Sequence, residues 1–419
     1  MTKTTNYKSN PSHASQPIGA CLSVRICVNN REPGGVSATK LWNPGRARNR
    51  LDPRLQVEPK PRHNRRYKSN PSHEAASVSA TKLLNPAALA TVLTRNCKSN
   101  PSPRTRGRSR YNERMSLVVV GSVAYDGVET PHGKVERMLG GACTYISLAA
   151  SYFTHVKIVG VVGDDFAQAD VDLLAGRNID LAGLERVPGK TFFWKGVYSA
   201  DMNDRTTLAT DLNVFATFDP KLPESYRDQP YLLLGNIQPE LQKSVRAQMN
   251  APRLTGGDTM NFWINDFRPQ LLETIKEWDF LLINDGEARL LSGETNLRKA
   301  ARKIMAMGPN TVVIKRGEYG ATLFRGDDYF IVPGYLLDEV FDPTGAGDCF
   351  AGGFVGYLAR QGIDLGAGHI DRRELSRAVI HGSVMGSFCC ERFGVDRFRT
   401  LTRGDIDARF QEFKRFTDF

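Results

Sequence analysis

The chain is poor in cysteine arrangements that chemistry could use. Its seven cysteines (21, 27, 97, 143, 349, 389 and 390) form no CxxC pair and no Cys/His array of zinc-ligand spacing. That excludes a structural zinc site and a disulfide scaffold, and the odd number suits a reducing compartment. Long hydrophobic runs are also missing, since no apolar stretch approaches the roughly 18–20 residues of a membrane span. The start of the chain lacks the charged segment and apolar core of a secretory signal, so the expected location is the cytoplasm, with no membrane partner. Two nucleotide motifs are absent as well. GLERVPGKT (183–191) separates Gly183 from Gly189 by one residue too many for a P-loop and runs into strand-like TFFW. GAGDCF (345–350) lacks the third glycine of a dinucleotide fingerprint.

Positive charge is abundant but unevenly spread. The formal net charge is +11. Residues 1–114 carry 22 Lys/Arg against 5 Asp/Glu, and the remainder carries 34 against 40. The basic character therefore belongs to the first segment, and no nucleic acid is expected to bind the acidic body. In that segment KSNPSH recurs at 8–13 and 68–73, and VSATKLWNP (36–44) is echoed by VSATKLLNP (78–86). The intervals are uneven and supply no repeating apolar face, unlike solenoid repeats. Residues 1–114 are expected to be a disordered, low-complexity extension, or upstream sequence wrongly joined ahead of a start at Met115. A basic arm for RNA is the competing reading.

From Ser116 the pattern changes. SLVVVGSVA (116–124), VKIVGVVG (156–163), YLLLGN (231–236), FLLIND (280–285) and TVVIKRG (311–317) are short apolar runs ending in small or polar residues. Between most of them lie amphipathic stretches of helix length, such as ELQKSVRAQM and NLRKAARKIMAM. Strands alternating with helices predict an α/β fold, with a mainly parallel sheet covered on both faces and ligands at the strands' carboxyl ends. TFFWKGVYSADMNDRTTLATDL (191–212) breaks the rhythm and reads as a β-hairpin turning at Asp201–Asp204. With residues near 130–140 it would form a small sheet acting as a lid that keeps water from the strand ends beneath it.

The string VFDPTGAGDCFAGGF (340–354) carries the chemistry. Gly345-Ala346-Gly347 lets the backbone approach a ligand, and the residues from Asp348 to Arg360 read as a helix. A glycine loop at a helix N-terminus favours anions, including a phosphoryl group in flight. Asp348, in the first helical turn, is placed to take the proton of an acceptor hydroxyl. An isolated GxGD would read more readily as a helix with an acidic first turn; the full string is far more specific.

That string resembles the C-terminal signature of the ribokinase-like (PfkB) carbohydrate kinase family, and the resemblance extends over residues 116–394. It implies a three-layer ribokinase-like fold over 115–419 with a small β-sheet lid, ATP as phosphoryl donor, Mg²⁺, and a sugar or nucleoside acceptor. It makes Asp348 the base and the amides of Gly345, Ala346 and Gly347 the anion hole. Thr344 falls with the nucleotide, and Asp342 and Thr344 lie beside a monovalent cation such as K⁺. Gly140-Gly141 matches the family's di-glycine, and Asp126 its grip on substrate hydroxyls. Asn284 and Glu287 match the N-x-x-E that organises Mg²⁺ and phosphate through water, although two such residues alone would read as a helix cap. Lys315, Gly317 and Gly320 match the loop lining the nucleotide, and alone would read as a hairpin turn.

The sequence departs from ribose-taking members after the di-glycine, where Ala142 and Tyr145 replace a Lys and an Asn. Ribose is therefore not the expected acceptor. Tyr145 would stack on a base or sugar face, or pack within its helix. Asn203, Arg205 and Thr206 are either acceptor contacts from the lid or solvated turn residues. His381 reads as packed near the nucleotide, and Cys389-Cys390 as buried filling. The alternatives to a sugar kinase are an adenosine-type nucleoside kinase and a catalytically silent ligand-binding member of the fold. Pairing of two chains through the lid is a further expectation.

Overall fold

Alternation within single strands explains the layering. In β1 (Leu117–Val120), Leu117 and Val119 enter one apolar cluster while Val118 and Val120 enter another, so the strand is buried on both faces. It lies between β4 (Val156–Val162) and β8 (Tyr231–Leu234), parallel to both, with Leu117 opposite Val156 and Tyr231. The sheet continues through β5 (Ile179–Arg186) on one side. On the other run β9 (Leu254–Asp258), β10 (Phe280–Asn284) and β11 (Thr311–Lys315), again parallel. Two antiparallel strands, β12 (Ala321–Arg325) and β13 (Asp328–Val332), finish this nine-stranded sheet.

The first cluster is covered by helices Ala142–Ala150, Ala346–Gln361 and Arg372–Cys389. The second is covered by Pro239–Gln248, Arg268–Ile275, Asp285–Ser292 and Leu297–Met305. The protein is thus an α/β three-layer structure, as expected. The structure, a computed structural model, describes residues 115–366 and 370–418. The expectations for residues 1–114 lie outside the described residues. Among the described residues no helix is long and apolar enough to cross a membrane.

β9 shows why a strand can escape detection. Its sequence, LTGGD, offers almost no apolar signal. A Cβ on Gly256 would overlap the Phe280 ring, and one on Gly257 would lie 2.7 Å from Trp278 Cη2 and from the Leu234 carbonyl oxygen. The glycines are there because neighbouring aromatic rings fill the space that side chains would need.

The second sheet has four strands, ordered β3 (Gly133–Gly140), β2 (Ala124–Thr130), β6 (Phe192–Tyr198) and β7 (Arg205–Asp211). The hairpin read from 191–212 is present as β6 and β7. Asp126 sits within β2, which pairs in parallel with β6. Two hydrogen bonds tie this sheet to the loop ahead of helix Ala346–Gln361. Thr130 Oγ1 donates to the Phe341 carbonyl at 3.0 Å, and the Tyr198 and Thr344 hydroxyls meet at 3.1 Å.

Candidate active site

Gly345 holds the centre of the site by necessity. Its φ of 77° lies in the left-handed region, and a Cβ would come 2.5 Å from the Tyr145 ring. The chain turns there directly into helix Ala346–Gln361, with no side chain capping the helix. The first helical amides are therefore available to an anion. The Ala346 N–H is the exception among the three expected donors, because it donates to the Pro343 carbonyl at 3.1 Å.

Asp348 follows in the first turn. Burial first, and then the Asp258 charge, push its carboxyl up to about 7, while Lys315 and Arg205 pull it down. A carboxylate in this range is suited to accept and release a proton near neutral pH. Lys315, the last residue of β11, places Nζ 3.1 Å from Asp258 Oδ2 and 3.1 Å from where a Cβ on Gly347 would stand. The ammonium thus lies against the glycine loop, held by a partner at the end of β9. Asp258 escaped the sequence reading together with its strand. The one available signal was an acidic residue ending a Gly-rich segment between two helical stretches.

Asn284 ends β10 opposite Lys315 in the register. It forms a capping box with Glu287, in which the Glu287 N–H donates to Asn284 Oδ1 at 2.7 Å and the Asn284 N–H to Glu287 Oε2 at 3.0 Å. The helix-cap reading therefore describes these hydrogen bonds, whatever further role the pair has. Burial, and then Asp258, push the Glu287 carboxyl up to about 7. Three carboxylates and one lysine face a common space at the carboxyl ends of β9, β10 and β11.

Asp126 comes from the other sheet and is only 5% exposed. Burial, followed by the charge of Asp342, pushes it up to about 7, and an amide hydrogen bond from Gly141 opposes this. Any Cβ on Gly140 would overlap its carboxylate, and Gly141 sits at φ 91° against Ser122. The di-glycine therefore makes room for Asp126. Tyr145 must be corrected as an acceptor contact. It is 1% exposed, its ring lies against Gly345, and its hydroxyl donates to Asp126 Oδ2 at 3.4 Å. Sealed between the loop and the acid, it has no face to offer a ligand.

Asp342 is fully buried, with Oδ1 accepting from the Thr344 N–H at 2.9 Å and Oδ2 from the Gly394 N–H at 3.0 Å. Gly317 (φ 55°) and Gly320 (φ 84°) turn the chain after β11, and the Asn203 side chain of the hairpin tip comes 4.0 Å from where a Gly317 Cβ would be. Arg205 starts β7, close enough to Asp348 and Glu287 to lower the pKa of both. His381 is stacked between Tyr357 and Phe410, with centroids at 4.7 and 4.4 Å, and burial pushes it down to about 3, so it is core. Cys389 is buried too, and its thiol donates to the Thr344 carbonyl at 3.3 Å.

The profile of the pfkB family carbohydrate kinases fits residues 114–400. A cytidine kinase of Thermococcus kodakarensis is 28% identical over 253 residues, covering 59% of this chain and 89% of that protein. A 2-dehydro-3-deoxygluconokinase of Thermoproteus tenax is 38% identical over 285 residues, covering 60% of this chain and 79% of that protein. A ribokinase II from E. coli, solved with ATP and Mg²⁺, superposes with a TM-score of 0.57 at 19% identity, over 71% of this chain and 99% of its own. With a buried acid behind a glycine loop at the strand ends, and a family profile spanning both sheets, the chain belongs to the pfkB family of carbohydrate kinases, phosphotransferases with a hydroxyl acceptor.

Proposed function

We propose that the protein transfers the γ-phosphoryl group of ATP to a hydroxyl of a sugar or nucleoside, with Asp348 as base. The observation that carries this reading is the placement of Asp348. It stands in the first turn of a helix entered through a left-handed glycine, within electrostatic reach of both the Lys315 ammonium and the Asp126 carboxylate. Asp348 removes the acceptor proton as the oxygen bonds to phosphorus and the bond to ADP breaks. The amides of Gly345 and Gly347 and the Lys315 ammonium meet the charge on the phosphoryl oxygens. The small sheet closes over the acceptor and keeps water out.

Asp258 and Glu287 fit a hard cation. Among the described residues no three His, Cys, Asp or Glu side chains form a metal cage, so Mg²⁺ would be held through water by one or two carboxylates together with the donor phosphates. When bound, it neutralises phosphate charge. Asp342 suits a monovalent cation such as K⁺, being a fully buried carboxylate whose hydrogen bonds come from two amides. Residues 1–114 have no part in this reading, so a chain beginning at Met115 keeps full turnover. The main test is ADP release from ATP across pentoses, hexoses, sugar acids and nucleosides. A rate no higher with any acceptor than without one would sink the reading.

A further inference from the structure

With Tyr145 sealed beneath the loop, the aromatic surface of the site must come from elsewhere, and β6 supplies it. Tyr198 of β6 meets Thr344, so its face of the strand looks onto the glycine loop. Trp194, four residues earlier, shares that face by strand alternation. Its indole lies flat along the sheet, because a Cβ on Gly196 would overlap the ring. Its Nε1 donates to Thr207 Oγ1 at 3.4 Å on β7, which fixes the ring plane. Arg205 lies over the ring with its guanidinium carbon 5.7 Å from the centroid, within cation–π range, and as an exposed side chain it can yield that face to a ligand. On the neighbouring strand Asp126 stands directly opposite Trp194 in the register. A half-buried indole of fixed plane therefore adjoins the carboxylate assigned to acceptor hydroxyls.

The geometry points to Trp194 as the acceptor-recognition residue, stacking on the ring of a nucleoside base while Asp126 holds ribose hydroxyls. A nucleoside offers hydroxyls to a carboxylate and an aromatic ring to an indole within one small molecule. A free pentose or a sugar acid has no such ring. This inference rests on the phosphotransferase reading above and names its acceptor class.

The test uses the full chain with cytidine, inosine, D-ribose and 2-dehydro-3-deoxygluconate. Either nucleoside should exceed both sugars in kcat/KM. Trp194→Leu should raise the nucleoside KM by roughly tenfold or more, the loss expected when base–aromatic stacking is removed, with kcat nearly unchanged. Trp194→Phe should keep the KM within about threefold, because a phenyl ring still stacks. Without ATP, a nucleoside should quench wild-type tryptophan fluorescence, and the quench should vanish in Trp194→Phe. A wild-type enzyme that turns over only sugars, or a Trp194→Leu enzyme with unchanged nucleoside KM, would overturn the inference and leave the kinase reading standing. No turnover with any acceptor would sink both.

Discussion

On one side of the site, Asp258, Asn284 and Lys315 end three adjacent parallel strands whose preceding residues are buried without exception. On the other side, β7 is exposed along almost its whole length, and the small sheet adds surface ion pairs such as Lys134–Glu136 at 2.7 Å and Lys195–Glu136 at 2.6 Å. Exposed pairs of this kind contribute little to stability, typically about 0–1 kcal/mol. The main sheet holds its charges by packing; the small sheet meets the loop through Tyr198–Thr344 and Thr130–Phe341 and joins the first apolar cluster through Tyr125 and Leu139, leaving its outer strand exposed. The division suits phosphoryl transfer. Charges that must be aligned at the instant of reaction belong on the rigid side, and in the proposed lid role groups that sort acceptors belong on the sheet with the exposed outer strand.

The sharpest way to break this division is at Asp348. Asp348→Asn keeps the side chain's size but cannot accept a proton, so kcat should fall by about 10²–10⁴-fold. The KM for ATP should stay close to wild type, because the loop amides and Lys315 remain. Steady-state kinetics on the purified, folded variant would decide it, and a near wild-type kcat would remove Asp348 as the base.

Gly345→Ala tests the rigidity of the main-sheet side. The new methyl must enter a left-handed backbone and meet the Tyr145 ring at 2.5 Å. Such strain costs on the order of 1–3 kcal/mol. The loop will shift to relieve it, so a fall in kcat of roughly tenfold to a hundredfold is expected together with a lower Tm. A variant with a lower Tm and full activity would mean that the loop tolerates movement, and the contrast between the two sides would fade.

On the small-sheet side, Arg205→Ala should cost less, roughly tenfold in kcat/KM, the loss of one charge facing Asp348 and Glu287. It should also move the pH profile. Arg205 helps to lower the Asp348 pKa from the level set by burial and Asp258. Without it the base stays protonated to higher pH, and the acidic limb of kcat/KM shifts upward from about 7. An unmoved limb would place Arg205 outside the field of the base.

The two sides also differ in how far the sequence reveals them. The glycine loop is legible because each residue is constrained by its own backbone. A turn into a helix needs a positive φ at Gly345, and the acid lies three residues on. Asp258 is hidden because the strand carrying it gave up its apolar signal to admit the Phe280 and Trp278 rings. Tyr145 has the spacing of a helix lining the site, and only the assembled loop shows its ring covered. Trp194 is one of several aromatic residues in TFFW, and which of them faces the site depends on the pairing of β6 with β2. Short-range geometry can thus be read from the chain, while burial and strand facing depend on distant partners.

The smallest expected effect concerns Asp126, where the two sides meet. Its carboxyl is pushed up to about 7 by burial first and then by Asp342, above the ordinary 3.8. A raised pKa means that the folded state holds the proton more tightly than the unfolded chain. The stability it contributes is complete below the unfolded value and is lost as pH rises through about 7. Wild-type protein should therefore lose stability between pH 5.5 and 8.5 through this group, and Asp126→Asn, which has no proton to lose, should not. The Tm of the variant should gain on wild type with rising pH, by about 2–4 °C for each kcal/mol recovered. Thermal unfolding at the two pH values, without ligands, measures this directly. If the variant instead falls behind as pH rises, the Asp126 carboxylate is stabilised as an anion in the free protein, and the small sheet shares the fixed electrostatics of the main one.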